Sequence, residues 1–154
     1  MPFYQFDASG LVKRYVDEMG SNWVRILVDP AQDNLISIAE VTRAEVASAL
    51  ARRTREGAIT LDELDELLLT FQAHCATQYR LAPTEHAIVN VAVDLTRRHP
   101  LRAYEAIQLA TALVVNNSLV AHALPPLVFI SADNGLLTAA QAEGLAVDNP
   151  NCHP

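Results

Sequence analysis

Four carboxylates stand at positions where a carboxylate either caps a helix or does chemistry. Asp7 ends an apolar run and precedes a helical pattern. Asp133 repeats the arrangement after the run Leu127 to Ser131. In an open parallel sheet, ligands bind beyond the carboxyl ends of the strands, so both aspartates fall where a site would be. An N-cap is the other reading of each, and the two roles can coexist. Glu105 lies in a stretch that is apolar nearly all round, with Leu101, Leu109 and Ala112 as helical neighbours. A carboxylate there must be paired, protonated or bound to a cation, unless it pairs with Arg102 or sits at a solvent-exposed helix end. Glu45 is flanked on its own helix face by Val41, Ser48, Ala49 and Arg52, mostly small neighbours that would let it point into a crevice or leave it on the surface. By contrast, Asp62, Glu63, Asp65 and Glu66 form one charge run, a solvated helix face.

Three or four convergent carboxylates suit Mg²⁺ or Mn²⁺, hard cations that prefer oxygen donors. Such an ion polarises a phosphoryl oxygen, lowers the pKa of its water and needs no protein nucleophile, which suits phosphodiester hydrolysis. The sequence has no Gly-rich phosphate loop ending in Lys-Ser/Thr, no G-x-S-x-G and no H-x-x-x-H. His74-Cys75 and Cys152-His153 are adjacent pairs, a poor chelating geometry. A receiver or haloacid dehalogenase-like site would need a lysine after a late strand, and the one lysine is Lys13.

The elements that must position these acids alternate. Strands are expected at Phe3 to Asp7, Asn34 to Ile38, Tyr79 to Ala82, Leu127 to Ser131 and Leu145 to Val147. Helical spacing covers Ala8 to about Glu18, Ser21 to Val28, Glu40 to Glu56, Thr60 to about Tyr79, Pro83 to Arg98, Arg102 to Asn116 and Asn134 to Glu143. Strands separated by helices imply parallel βαβ units and a three-layer α/β fold. At 154 residues, 51% of them hydrophobic, the chain reads as a single domain over residues 1–150. A short tail, Asn151 to Pro154, is the segment least expected to be ordered.

The net charge of −7 argues against holding nucleic acid by bulk electrostatics, though not against a nuclease whose acidic pocket carries metal. Arg14, Arg52 and Arg102 are candidates for phosphate contact, with nothing to choose between them. Two distant cysteines outside any C-x-x-C pair suggest a reducing, cytoplasmic setting. No secretory leader and no membrane span is expected.

Four stretches in order carry a resemblance along the whole chain: Phe6 to Lys13 (FDASGLVK), Ser37 to Arg53 (SIAEVTRAEVASALARR), Leu101 to Leu113 (LRAYEAIQLATAL) and Val128 to Gly144 (VFISADNGLLTAAQAEG), the last followed by Asn149-Pro150. Together they resemble PIN domains, notably the VapC-type toxins of bacterial toxin–antitoxin pairs. The resemblance implies a PIN-like parallel sheet flanked by helices and a Mg²⁺ or Mn²⁺ site at Asp7, Glu45, Glu105 and Asp133, supported by the hydroxyls of Ser9 and Ser131. It implies a metal-dependent ribonuclease, an RNA substrate, a cognate antitoxin and a homodimer. The family's third acid is commonly aspartate followed by Ala-Ile-His; here the stretch is Glu105-Ala106-Ile107-Gln108. The added methylene moves the carboxylate by roughly 1 Å, an amount to which a positioned water is sensitive. The alternative is therefore a PIN-fold module of weak or no activity that acts by binding protein.

Overall fold

The computed structural model describes residues 1–154. Five strands form one sheet: β1 (Phe3–Phe6), β2 (Leu35–Ala39), β3 (Tyr79–Ala82), β4 (Val128–Ile130) and β5 (Ala146–Asp148). All pair in parallel, in the order β3-β2-β1-β4-β5. Seven α-helices flank it: α1 (Ala8–Leu11), α2 (Ser21–Leu27), α3 (Thr42–Arg55), α4 (Leu61–Thr77), α5 (His86–Arg98), α6 (Ala103–Ala121) and α7 (Asn134–Ala142).

Alternate side chains of the central strands β1 and β4 feed two cores, as the period of a strand requires. Phe6, Ile38 and Ile130 pack with Leu11, Val24, Leu50 and Phe71 on one face. Phe129 packs with Leu95, Leu109 and Leu136 on the other. A sheet buried on both faces is the three-layer arrangement expected from the alternation of strands and helices. In the apolar stretch of α4, Leu64, Leu67 and Leu68 pack against the first core while Leu69 faces solvent.

The boundaries follow the signals in the sequence closely in places. Thr60 and Glu63 form the reciprocal capping box that opens α4. Two helices differ. The helix expected from Ala8 to Glu18 is a single turn that tightens into a 3-10 turn at Val12–Arg14. The cause is Lys13, which is buried and donates through Nζ to Glu18 Oε1 at 3.1 Å and to the Met19 carbonyl at 2.7 Å. Residues 15–20 must loop back to supply those acceptors, and a continued helix would carry them away. Helix α6 runs five residues past Asn116, to Ala121, because Asn117 and Ser118 face solvent and Leu119 still packs on the second core. Asn116 turns its Oδ1 to the Leu127 N–H and so ties down the approach to β4.

The C-terminal residues are docked. A 3-10 turn spans Pro150–Cys152, and the His153 ring stacks on Trp23 at 4.2 Å while its Nε2 meets Asp148 Oδ1 at 2.8 Å. Gly20 (φ +82°) accepts this contact, since a Cβ there would lie 2.2 Å from the Pro150 carbonyl oxygen. No helix is long and apolar enough to cross a membrane.

Candidate active site

The register fixes where the site lies. Phe6 pairs with Ile38 on one side and Ile130 on the other, so the carboxyl ends of β1, β2 and β4 are level. The chain moves outward from β1 through β2 to β3, then returns to build β4 and β5 on β1's other side. The crevice between β1 and β4 is therefore the topological switch point, where α/β sheets bind ligands.

Each acid reaches that crevice from the start of a different helix. Asp7 caps α1, Glu45 is in the first turn of α3, Glu105 is in the first turn of α6 and Asp133 caps α7. All four line one cleft of about 520 Å³. Helix N-termini suit this work, because their unpaired N–H groups and dipoles tolerate negative charge.

Asp7 is the most constrained. Its Oδ1 accepts from the Gly10 N–H and the Ser9 hydroxyl, both at 2.8 Å. Its Oδ2 accepts from Ser131 at 2.7 Å and Ser9 at 2.9 Å. The two hydroxyls are themselves held: Ala132 N–H donates to Ser9 Oγ, and Asp133 N–H donates to Ser131 Oγ, each at 3.0 Å. Gly10 lets α1 sit this close to β4, for a Cβ there would stand 3.1 Å from the Ile130 carbonyl oxygen. Burial nonetheless pushes the Asp7 carboxyl up to about 6, against the pull of its hydrogen bonds, and Asp133 adds to the rise.

Glu45 is half-buried, and burial raises its pKa, with the Asp7 charge pushing in the same direction. It is oriented by Gln108, whose Nε2 donates to Glu45 Oε1 and to Thr42 Oγ1, both at 2.7 Å. Gln108 is buried, and its Oε1 has no partner. The face of Glu45 that carries Val41, Ser48, Ala49 and Arg52 forms the wall of a second lobe beside the acids. Asp133 accepts from the Leu136 N–H at 3.1 Å, so capping and facing the cleft coexist in it as in Asp7.

Glu105 departs from the expectation of a buried, costly charge. Helix α6 is apolar along most of its length, but its first turn opens into the cleft and leaves Glu105 half-exposed. Its Oε2 accepts the Arg102 backbone N–H at 2.8 Å, so its tie is to the backbone of Arg102, not to the guanidinium. Of the three candidate arginines, Arg52 and Arg102 line the cleft. Arg14 does not; it donates to the Tyr79 hydroxyl at 2.6 Å and lies over the rings of Tyr15 and Tyr79. There it joins a network in which the Tyr15 hydroxyl meets Tyr79 at 2.6 Å and His74 Nδ1 at 2.8 Å. His74, adjacent to Cys75, thus has a structural job.

Thr42 and Glu18 went unrecognised in the sequence as parts of the site, and Gln108 stood out there only as a departure from the family's usual His beside the third acid. Thr42 and Gln108 meet from elements 66 residues apart, which no local pattern encodes. Glu18 lines the cleft as a fifth carboxylate, but it is held by Lys13 and by Arg53, whose Nη2 is 2.6 Å from Oε2.

The donor set fits a hard divalent cation in kind: oxygen ligands, mutually repelling and partly desolvated. No three His, Cys, Asp or Glu side chains are drawn together into a closed chelate. That is compatible with Mg²⁺, which keeps several waters, so that part of a carboxylate set holds it through water.

No protein-family model matches the chain. Two curated relatives from Mycobacterium tuberculosis, Ribonuclease VapC45 of strain CDC 1551 / Oshkosh and Ribonuclease VapC49 of strain ATCC 25618 / H37Rv, are each 33% identical to it over 147 residues. Each match covers 96% of this chain and 95% of the relative. Among solved structures, FitAcB from Neisseria gonorrhoeae superposes with a TM-score of 0.62 at 16% identity, covering 96% of this chain and 97% of that one. VapBC2 from Rickettsia felis, bound to a DNA fragment from its promoter, gives 0.64 at 11% identity over 96% and 98%. A toxin–antitoxin complex from Klebsiella pneumoniae gives 0.62 at 17% over 96% and 97%. The solved structures show the fold, and the 33% identity across nearly the full length of both relatives shows the family: the chain belongs to the VapC ribonucleases, built on a PIN-type fold.

Proposed function

We propose that this protein is a Mg²⁺- or Mn²⁺-dependent endoribonuclease and the toxin of a toxin–antitoxin pair. The observation that carries this reading is the convergence of Asp7, Glu45, Glu105 and Asp133, from four helix N-termini, on one cleft at the switch point of the sheet. The ion, held by Asp7, Glu45 and Asp133 and completed by Glu105 directly or through water, would polarise a phosphoryl oxygen and lower the pKa of a bound water. The protein's own work is positional. Ser9 and Ser131 hold both oxygens of Asp7 in place, and Gln108 holds one oxygen of Glu45. The names of its relatives support RNA as substrate, and toxin–antitoxin neighbours support a cognate antitoxin as partner. We place the protein in the cytoplasm, where its two free cysteines stay reduced, and expect a homodimer, which light scattering of the purified chain would read directly.

The test is cleavage of a mixed pool of tRNA and structured RNA by antitoxin-free protein in Mg²⁺, in Mn²⁺ and in EDTA. Cleavage in either metal that stops with EDTA supports the reading. No cleavage in either, from folded protein, would move it to the second reading, a binding module whose chemistry has been lost through Glu105. The geometry favours competence: Glu105 uses one carboxylate oxygen on its own helix turn and remains on the cleft wall. Glu105→Asp is accordingly expected to change kcat by less than about tenfold. A gain of roughly 100-fold, the worth of correcting a 1 Å misplacement, would mark the parent as the weak module.

Gln108 offers an independent check on Glu45. Gln108→Ala removes the donor that fixes Glu45 Oε1. Loss of such an outer partner typically costs ~10–100-fold in metal affinity or activity, and that is the drop expected in a Mn²⁺ titration followed by EPR. An unchanged Mn²⁺ affinity would mean that Glu45 does not hold the ion.

A further inference from the structure

The acidic cleft continues into a second lobe. Glu45, Ala49, Arg52, Arg102 and Glu105 line both, so the two form one trough between α3 and the first turn of α6. The second lobe, about 540 Å³, lies within the usual range for a small-ligand pocket. Beyond the shared residues its wall is small or apolar, with Val41, Ala44 and Ser48 on one side and Tyr104 on the other.

Two features meet in this lobe. Tyr104, at 61% exposure, is the only largely exposed aromatic side chain in the chain. Arg52 and Arg102 are exposed and outside every ion pair; Arg55, Arg80 and Arg97 are too, but it is Arg52 and Arg102 that share a cavity wall with Tyr104. On a molecule of net charge −7, two uncommitted guanidinium groups beside one free aromatic face form a local exception. Single-stranded nucleic acid is held by that combination, bases on aromatic faces and phosphates on cations.

We propose that this second lobe is the subsite for the unpaired nucleotide flanking the bond to be cut, with Tyr104 stacking on its base and Arg52 and Arg102 holding the adjoining phosphates. The assignment rests on the ribonuclease reading. It requires the substrate to be single-stranded beside the cut, since a paired base cannot present its face to Tyr104. Beyond the residues shared with the acidic cleft, the lobe's polar side-chain groups are the hydroxyls of Ser48 and Tyr104, so stacking makes the subsite tolerant of sequence.

The experiment is fluorescence anisotropy of a short, fluorescein-labelled single-stranded RNA in Mn²⁺, on full-length protein silenced by Asp7→Asn, paired with cleavage kinetics on the active parent. Adding Tyr104→Ala should weaken binding and raise KM by roughly tenfold, the worth of one base–aromatic stack, while Tyr104→Phe stays within about twofold of the parent. Arg52→Ala should weaken binding and lower the salt slope by about one, whereas Arg97→Ala, which removes the same charge outside the trough, should leave that slope unchanged. If the parent cleaves RNA but Tyr104→Ala alters neither binding nor KM, the subsite is overturned and the ribonuclease reading stands; such a result would leave the Tyr104 face to a protein partner. If the parent neither binds nor cleaves RNA in Mn²⁺, both fall together.

Discussion

Asp7→Asn is expected to lower metal-dependent RNA cleavage by more than about 100-fold while leaving the protein folded. Losing an outer partner of a metal ligand costs ~10–100-fold, so losing the carboxylate itself should cost more. The fold should survive for a local reason. Asn is as good an N-cap as Asp, and its Oδ1 can still accept the Gly10 N–H that opens α1. Its amide can donate to the Ser131 hydroxyl, which now donates to Asp7 and can rotate to accept. Far-UV circular dichroism should therefore match the parent, while cleavage in Mn²⁺ disappears. Retention of activity within about tenfold would show that Asp7 is a cap and nothing more, and would transfer the essential role to Glu45 and Asp133. Asp133 offers a graded comparison: it caps α7 through Leu136 but lacks the double hydroxyl clamp of Asp7.

How far the sequence foretold this site depended on how local each signal was. Asp7 and Asp133 could be picked out because the end of a strand and the start of a helix are both written in adjacent residues. The level register of β1, β2 and β4 then brings them to one crevice. Glu45 was visible through its small neighbours, which do form a cleft wall. Glu105 was picked out for a reason that fails: apolar periodicity describes the middle of α6, whereas its first turn opens to the cleft, so the charge is not deeply buried. What holds for it is the resemblance, which sets the third acid at Glu105, and its first-turn place, where Oε2 takes the Arg102 N–H. Gln108 and Thr42 act on Glu45 only because α3 and α6 cross, a relation that belongs to packing and not to any window of sequence. Lys13 carries the same lesson for the fold. A single buried amine seeking acceptors shortened a helix that spacing alone would have continued.

Metal-free protein is expected to lose stability as pH rises from about 4 to above 6, and Asp7 is the group to which that loss can be traced. An ordinary aspartate sits near 3.8, the value expected in the unfolded chain, whereas burial raises Asp7 to about 6 in the fold. Between those values the folded state keeps a proton that the unfolded state has released. Stability then falls with rising pH, because the slope follows protons bound in the unfolded state minus those bound in the folded one. The full contribution is present below about 3.8 and is lost once pH passes about 6. Two units correspond to about 3 kcal/mol, an order-of-magnitude figure for the cost of an ionised Asp7 with no cation beside it. Glu45, also raised by burial, acts in the same sense, while Glu143, lowered by its bonds to His99 and Arg98, acts oppositely. Comparison with Asp7→Asn isolates the one group: in EDTA above pH 7 the variant should be the more stable protein, and its denaturation profile should be flatter with pH. Adding Mn²⁺ near neutral pH should raise the Tm of the parent and leave the variant nearly unmoved. Parallel pH profiles for the two proteins would mean that solvent reaches Asp7 and that the cleft pays no charge penalty for the cation to relieve. A flatter variant that also fails to respond to Mn²⁺ would tie the penalty and the metal to the same carboxylate, without recourse to any measurement of cleavage.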